Sequence, residues 1–449
     1  MATTAQNLQY RLEEFFGSPP TQDALEEIGP FMADLEKGPN TQVNGDKYWT
    51  GDGLAKLSAR TEGSGNVGSN LAGTLALAKS EAGVQYQARI ARRYSTWNMD
   101  QDEWDLTKDQ PDASAEAGAN STMRSLVFTQ KNFWRSSSVY GWRDGRGGAA
   151  RLALNSAVGT TITLINPAMV QAFEIGDALV AYDPAVYFAT QCGVLSATRG
   201  AASINPDTNV VRVVNRDERN GTLLLSAAFN TITGGAAGDV IGHFTYRQPA
   251  GGTAYTVGLY GVATFLAFNA TDRTATALGV NRAVDPGRLA GRFETLQAGA
   301  SLSAVMGLMT ELSTQFGIPV DRVYAPARAA REFSTQLTNQ TRTGYDQKMM
   351  RFGAAGAKVV FPHGEAVVTV DRFLWDIQSN ADIYVGLVSK HWGYCTTKSG
   401  IHWRNYGYTP DGAGGYFKVN SDGGLQAEYG GNGNVLCDLP AKAIVIRAG

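Results

Sequence analysis

The feature that most constrains this chain is one uninterrupted helical stretch. Across residues 111–140, Ala119, Met123, Leu126, Val127, Phe133 and Trp134 recur at i, i+4, i+7, i+8 spacing. Pro111 stands at the start, where proline is tolerated, and GWRDGRGG (Gly141–Gly148) ends it. A single apolar stripe of that length has to be covered by another layer, a sheet or a second helix.

The flanking segments differ sharply from it. Residues 1–50 hold eight Asp/Glu against three Lys/Arg. Two short helices are expected there, broken at Pro19-Pro20. In the second, Thr21 caps, and Leu25, Ile28, Phe31, Met32 and Leu35 follow helical spacing. Residues 51–83 are rich in Gly, Ser and Ala. VQYQARIARRY then alternates, with Val84, Tyr86, Ala88 and Ile90 on one face and Gln85, Gln87 and Arg89 on the other. That predicts a strand exposed on one side. Lys56 to Arg93 holds six basic and two acidic residues, about +4. A basic extended arm beside an acidic segment invites contact between molecules; an ordinary solvated hairpin is the bland reading.

Residues 157–247 read as an all-β insert. TTITLI, FEIGDALVAY, GVLSATR, VVRVVNRD, GTLLLS and DVIGHF are short and punctuated by turn residues. Their spacing predicts a small barrel or sandwich. Over 298–340, Leu302, Val305, Met306, Met309, Leu312 and Phe316 form one helical stripe. VYAP is a short buried strand, and ARAAREFSTQL a second helix with Ala330, Phe333 and Leu337 inward. AKVVF, EAVVTV, DIYVGLV and AKAIVIR are strands. The pattern is α+β.

Composition removes several function classes. Net charge is 39 − 41 = −2, so no global basic field holds nucleic acid. Charged residues are 18%, below the usual ~25%, and Gly is 52 of 449. This suits a protein that hides surface against partners. Three Cys (Cys192, Cys395, Cys437) are too scattered for a disulfide framework, which points to a reducing compartment. No run nears the ~18 apolar residues of a membrane span, and the first residues do not form a signal peptide.

Candidate chemistry is sparse. Gly63-Ser-Gly65-Asn-Val-Gly68 matches GxGxxG by letter, but lacks the strand before and helix after that phosphate binding needs. His391, Cys395 and His402 form the one His/Cys cluster, without the paired spacing or fourth ligand of a zinc site. On one strand His391 and Cys395 stand ~13 Å apart, too far for a thiol–base pair. No GxSxG, HExxH, Walker A or EF-hand loop occurs. Asp100, Asp102, Glu103 and Asp105 are an acidic run, a solvated face in the bland reading. Arg89, Arg92 and Arg93 read as protein–protein ion-pair partners rather than nucleic-acid readers. No catalytic, cofactor or metal site is expected, and the chain is not expected to be an enzyme.

The order of parts resembles a tailed-phage major capsid protein of the Hong Kong-type capsid fold. Four places carry the resemblance, which runs from about residue 50 to the end. They are the basic hairpin ending in VQYQARIARRY, DASAEAGANSTMRSLVFTQKNFWRSSSVYGWRDGRG, TITLINPAMVQAFEIGDALVAY, and LGVNRAVDPGRLAG with PVDRVYAPARAAREF. The resemblance implies an N-terminal arm (1–50), an extended loop (51–105) and a peripheral domain with a spine helix (106–156). A β insertion domain (157–247), a connection (248–295), an axial domain (296–405) and C-terminal strands returning to the peripheral domain (406–449) follow.

It also implies self-assembly into hexamers and pentamers of an icosahedral head around double-stranded DNA. The subunit would sit in the virion, after assembly in the bacterial cytoplasm. Partners implied are further copies of the chain, a portal protein, and scaffolding and decoration proteins, with weak non-specific contact to packaged DNA and none to a membrane. Some such shells are locked by Lys–Asn cross-links, for which Lys56 and Lys79 are the loop donors here. Arg89, Arg92 and Arg93 on one edge, with Asp100, Asp102, Glu103 and Asp105 on another, are the expected inter-subunit contacts. The alternatives are a phage tail or fibre module, suggested by the β insert and high Gly, and a hydrolase using the 100–105 acidic cluster.

Overall fold

The computed structural model describes residues 29–37, 41–42, 47–56, 82–89, 91–99, 112–199, 210–232, 234–243, 259–330, 332, 357–406, 415–419 and 424–449. Helix α1 (Pro30–Lys37) buries Phe31, Met32 and Leu35, as their spacing requires. The expected cap Thr21 and the helix before it lie outside the described residues. Strand β1 (Thr41–Gln42) is followed by a hairpin of β2 (Lys47–Lys56) and β3 (Ala82–Arg89). Strand β4 (Ala91–Met99) then leaves the hairpin and joins another sheet. The alternation across 84–94 predicts one strand on one phase. The structure has two strands there, in different sheets, and the buried positions of β4 are odd-numbered, Ala91, Arg93 and Trp97.

Helix α2 (Asp112–Gly141) matches the expected long helix within a residue at each end. Leu126, Phe133 and Trp134 are buried, and Val127 is half-buried. The side chains of Ala119 and Met123 are outside the described ones. Gly141 lets α1 approach: a Cβ there would sit 2.8 Å from the Met32 sulfur.

The insert forms a small barrel, as the strand spacing predicts: its two sheets meet at both edges, through the bridges Leu152–Leu164 and Ala178–Arg212. Its elements are β5 (Ala150–Arg151), β6 (Thr161–Thr163), β7 (Leu179–Tyr182), α3 (Pro184–Ala189), β8 (Val213–Asp217), β9 (Thr222–Leu225) and β10 (Val240–His243). They form two three-stranded sheets, β5–β10–β7 and β6–β9–β8. The first recruits β5 from before the expected boundary at 157. GVLSATR forms no strand. Its backbone N–H groups bond irregularly instead, Gly193 to the Asp144 carbonyl (2.7 Å), Ser196 to that of Arg146 (3.0 Å) and Arg199 to that of Ala181 (2.8 Å). Its apolar residues share one core with the rest of the chain: Ile162, Leu164, Met169 and Leu223 cluster with Val139, Tyr140, Trp142 and Trp375.

Beyond it come a small ribbon, β11 (Thr276–Ala277) and β12 (Val280–Asn281), then β13 (Arg292–Leu296) and α4 (Leu302–Phe316). Ser301 caps α4 by accepting from Ala304 N, and Gly317 ends it in the left-handed conformation, φ 58°. Strands β14 (Arg322–Pro326), β15 (Ala357–Phe361), β16 (Gly364–Asp371), β17 (Asp382–Leu387), β18 (Trp392–Trp403), β19 (Lys418–Val419), β20 (Leu425–Cys437) and β21 (Ile444–Ala448) complete the chain.

A six-stranded sheet runs β13–β21–β17–β14–β16–β15, with β13–β21 and β14–β16 parallel. Leu302, Val305, Met309 and Leu312 of α4 pack on one face against Val323, Ala325, Val368 and Ile446. Met306 is half-buried, while Phe316 is 37% exposed beneath the Arg292 guanidinium, 3.9 Å from its ring centre. The expected inward register of the next helix is off by one: Ala329 is buried and Ala330 exposed, and Phe333 and Leu337 lie outside the described residues.

The other large sheet pairs β1, β18, β20 and β19, with β4 on the free edge of β20. Helix α2 lies on it through Leu126, Phe133 and Trp134 against Trp97, Trp403, Leu425 and Tyr429. This topology cuts across the boundaries expected at 296–405 and 406–449. Strand β18 belongs with β20 and α2, and the final strand β21 returns to the six-stranded sheet. The class is α+β, as expected.

Candidate functional site

Within and just before the segment expected as an arm at 51–105, β2 and β3 form a hairpin, in antiparallel register from Lys47 opposite Arg89 to Lys56 opposite Ala82, with irregularities at 50/52 and 54/56. Among the described residues these two strands pair only with each other. A two-stranded ribbon is marginal by itself in water, and this one runs beside Pro286–Leu289, β12 and β20 of its own chain. The side chains of Lys56, Arg89 and Arg92 are outside the described ones, as are Lys79, Asp100, Asp102, Glu103, Asp105 and the Gly63–Gly68 loop.

The root of the arm is β4, and it is anchored within the chain. Arg93 is 6% exposed. Its Nη1 donates to Ser137 Oγ (2.9 Å), its Nη2 to Ser136 Oγ (3.1 Å), and its guanidinium lies 5.2 Å from the Phe133 ring centre, all on α2. Trp97 Nε1 donates to Ser125 Oγ on the same helix (2.8 Å). Arg93, expected to meet a neighbouring molecule, is thus held within its own chain. The odd phase of β4 turns it inward, where hydroxyls and an aromatic face receive it. Gly430 on β20 makes this approach possible, since a Cβ there would fall 2.1 Å from the Arg93 carbonyl oxygen.

Of the His/Cys cluster, the Cys395 side chain lies outside the described ones. His391 sits in a 3-10 turn with Nδ1 2.9 Å from Asp438 Oδ1, and His402 is exposed on β18. Trp392, Tyr394 and Trp403 are buried strand residues, as the bland reading has it. Among the described residues no group of three potential metal ligands forms.

The most densely connected polar site is one that sequence reasoning took only as the stop of α2. In the loop after α2, Trp142 Nε1 donates to Asp371 Oδ2 (3.0 Å) at the end of β16. Arg143 donates to the Trp375 and Phe373 carbonyls (2.7 and 2.8 Å) and stacks 4.1 Å over the Trp375 ring. Burial lowers the Arg143 pKa to about 10, against the opposing pull of Tyr187, Asp144 and Asp376, so the side chain stays cationic. Arg146 donates to Asp272 Oδ1 and to Cys192 Sγ, both at 2.9 Å, and Tyr187 OH donates to Asp144 Oδ1 (2.9 Å). Arg282 donates to the Thr264 and Asp272 carbonyls.

Burial pushes the Cys192 thiol up to about 11, which makes it an inert packing group rather than a nucleophile. This loop therefore ties the long helix, the insert, the 262–282 turns and the six-stranded sheet to one polar centre. The signal was available: WRDGR puts three charges inside an aromatic, glycine-rich stretch of a chain poor in charge.

A second tie joins the insert to α2. Arg135 donates to the Gln171 carbonyl and pairs with Glu174, which also meets Arg216 (3.1 Å). Tyr140 OH lies 2.9 Å from His243 Nδ1, whose Nε2 is 3.2 Å from Asp177.

No family model matches the chain, and no curated protein matches it. Solved structures do. A cyanophage A-1(L) capsid asymmetric unit is similar at 11% identity, with 93% of this chain and 92% of that chain covered, TM-score 0.43. A structure from Mycobacterium phage Ogopogo is similar at 9% identity, covering 94% and 92%, TM-score 0.42. For Mycobacterium phage Che8 the identity is 15% and the TM-score 0.24, over 34% of this chain; the chain spans about half (52%) of that one.

Proposed function

We propose that this chain is a major capsid protein of a tailed phage, a structural subunit that tiles with copies of itself into a closed icosahedral head around double-stranded DNA. The observation that supports this best is the β2–β3 arm. Its strands pair only with each other among the described residues, while its root is locked into α2 by Arg93 and Trp97. A ribbon that pairs with no further strand of its own chain leaves its outer edges open, and a neighbouring copy can cover what the contacts with Pro286–Leu289 and β20 leave bare.

Rings of five and six are heterologous, so each subunit needs two different complementary edges. Arg89 on the arm and Arg92 at its root supply the basic one. Asp100, Asp102, Glu103 and Asp105 supply the acidic one. Near-neutral net charge keeps contact with packaged DNA weak and non-specific, because phosphate neutralisation dominates such binding. A portal protein closes one vertex, and scaffolding and decoration proteins act as separate chains. The subunit resides in the virion after assembly in the host cytoplasm.

Expression of the chain followed by size-exclusion chromatography and negative-stain microscopy tests this. Rings, capsomers or closed shells are expected. A chain that stays monomeric at high concentration refutes it.

A further inference from the structure

The exposed face of α2 carries a feature the shell reading does not use. From Ala117 to Gly141 the helix contains no Asp or Glu, while Arg124, Lys131 and Arg135 are basic. Arg135 is neutralised by Glu174. Arg124 is exposed and Lys131 half-buried, and among the described residues neither has an ion-pair partner. Between them Phe128 is 55% exposed. Positions 124, 128 and 131 fall on one side of a helix, so the face is an aromatic side chain flanked by two cations. Pure phosphate binding gives no role to the phenyl ring. A partner that is acidic and amphipathic uses all three.

The chain carries such a segment, and the structure shows where it begins. Residues 1–28 hold Glu13, Glu14, Asp23, Glu26 and Glu27 against Arg11 alone. Leu8, Leu12, Phe15 and Phe16 stand at i, i+4, i+7, i+8, with Glu13 and Glu14 among them. The described chain starts at Gly29, whose N–H donates to Ser138 Oγ on α2 (2.7 Å). Ser138 is ten residues along the helix from Phe128, about 15 Å at 1.5 Å per residue. Residues 17–28, extended, reach up to ~40 Å. Tethering at Gly29 also gives the segment a high effective concentration over this face.

We propose that the acidic N-terminal segment of the same chain, through Leu8–Phe16 with Glu13 and Glu14, docks on the Arg124–Phe128–Lys131 face of α2. This stands on charge, spacing and chain path, independently of the shell reading.

The test uses the full chain in dilute, unassembled form, with a benzophenone amino acid in place of Phe128. After irradiation and digestion, adducts are expected within residues 1–28 of the same polypeptide, with a yield unchanged on dilution. Combining Arg124→Glu with Lys131→Glu is expected to cut that yield by about fivefold or more, the scale of two exposed ion pairs turned repulsive. Adducts to another segment, to an isotopically distinct second copy, to nucleic acid or to another protein overturn the proposal, as does the absence of adducts. Should the substituted chain not fold, tryptic cleavage after Arg11 decides. It is expected to be faster in the Arg124→Glu/Lys131→Glu chain than in the unaltered one, and equal rates overturn the proposal.

Discussion

Replacing Asp371 should loosen the protein at the point where α1, α2 and the six-stranded sheet meet. The carboxylate is fully buried at the end of β16. Its Oδ2 accepts from Trp142 Nε1 (3.0 Å) and from Phe31 N at the start of α1 (3.4 Å), and its Oδ1 accepts from Phe373 N (2.9 Å). Asp371→Ala leaves three buried N–H groups without an acceptor, at about 1–3 kcal/mol each. Against this, burial raises the Asp371 pKa, so removing the charge recovers part of the loss. The net expectation is a destabilisation of about 2–5 kcal/mol. Asp371→Asn keeps the shape and one carbonyl oxygen but turns the other acceptor into a donor, so its cost falls between. Trp142 lies in an aromatic cluster, its ring 4.5 Å from Phe31 and 5.3 Å from Tyr324, and it is one of eight tryptophans whose summed fluorescence follows unfolding. Urea unfolding of the unassembled chain should rank the wild type first, Asp371→Asn second and Asp371→Ala last. A loss of under about 1 kcal/mol in Asp371→Ala would refute the reasoning, since the three donors would then have found water or other partners.

Further outcomes follow from the same geometry. Arg89→Glu with Arg92→Glu should abolish shells while the melting temperature of the free subunit stays put, whereas Arg93→Glu should lower that temperature by placing a carboxylate beside Ser136 and Ser137; electron microscopy and calorimetry read the two effects separately. Burial first, and Asp272 after it, raise the Asp376 pKa to about 6, despite hydrogen bonds from Gln378 N and Ser379 and the nearby Arg447. An acid with a raised folded pKa contributes stability below its unfolded value that is lost as pH rises to about 6, so the wild type should weaken between pH 4 and 7 by up to about 3 kcal/mol. Asp376→Asn should flatten that dependence in melts run across pH. Gly430→Ala should disrupt β4–β20 pairing, seen as faster amide exchange in β4, because its Cβ has no room beside the Arg93 carbonyl. Denaturing electrophoresis of particles should give a single band near 47.9 kDa if Lys56 and Lys79 form no cross-links, and a ladder if they do.

What was legible in the sequence was what local periodicity encodes. Helix α2, helix α4 and strands such as DIYVGLV repeat their apolar residues at one spacing over their whole length, and each forms where that spacing puts it. The readings that fail are those in which a distant partner decides. Val84 to Ile90 alternates on one phase, yet β3 pairs with β2 and β4 with β20, so one run of strand-like sequence serves two different sheets. GVLSATR has strand composition, but the Gly193 and Ser196 N–H groups are claimed by carbonyls of the loop after α2. Ala330 and Ala329 are chemically equivalent neighbours, and only the sheet beneath selects between them.

Arg93 and Arg143 show why the candidate site was the hardest part to read. In a chain with 18% charged residues, a lone arginine invites an intermolecular role. Desolvating a guanidinium is tolerated only where acceptors are already fixed. For Arg93 those are serines of α2, and for Arg143 the carbonyls of Phe373 and Trp375, more than two hundred residues away in sequence. No local pattern announces such acceptors. The surface left for neighbours is therefore defined by subtraction. Arg93, Arg135, Arg143, Arg146 and Arg282 are all spent on holding the subunit together, so each is subtracted from the basic groups that a neighbouring chain could meet.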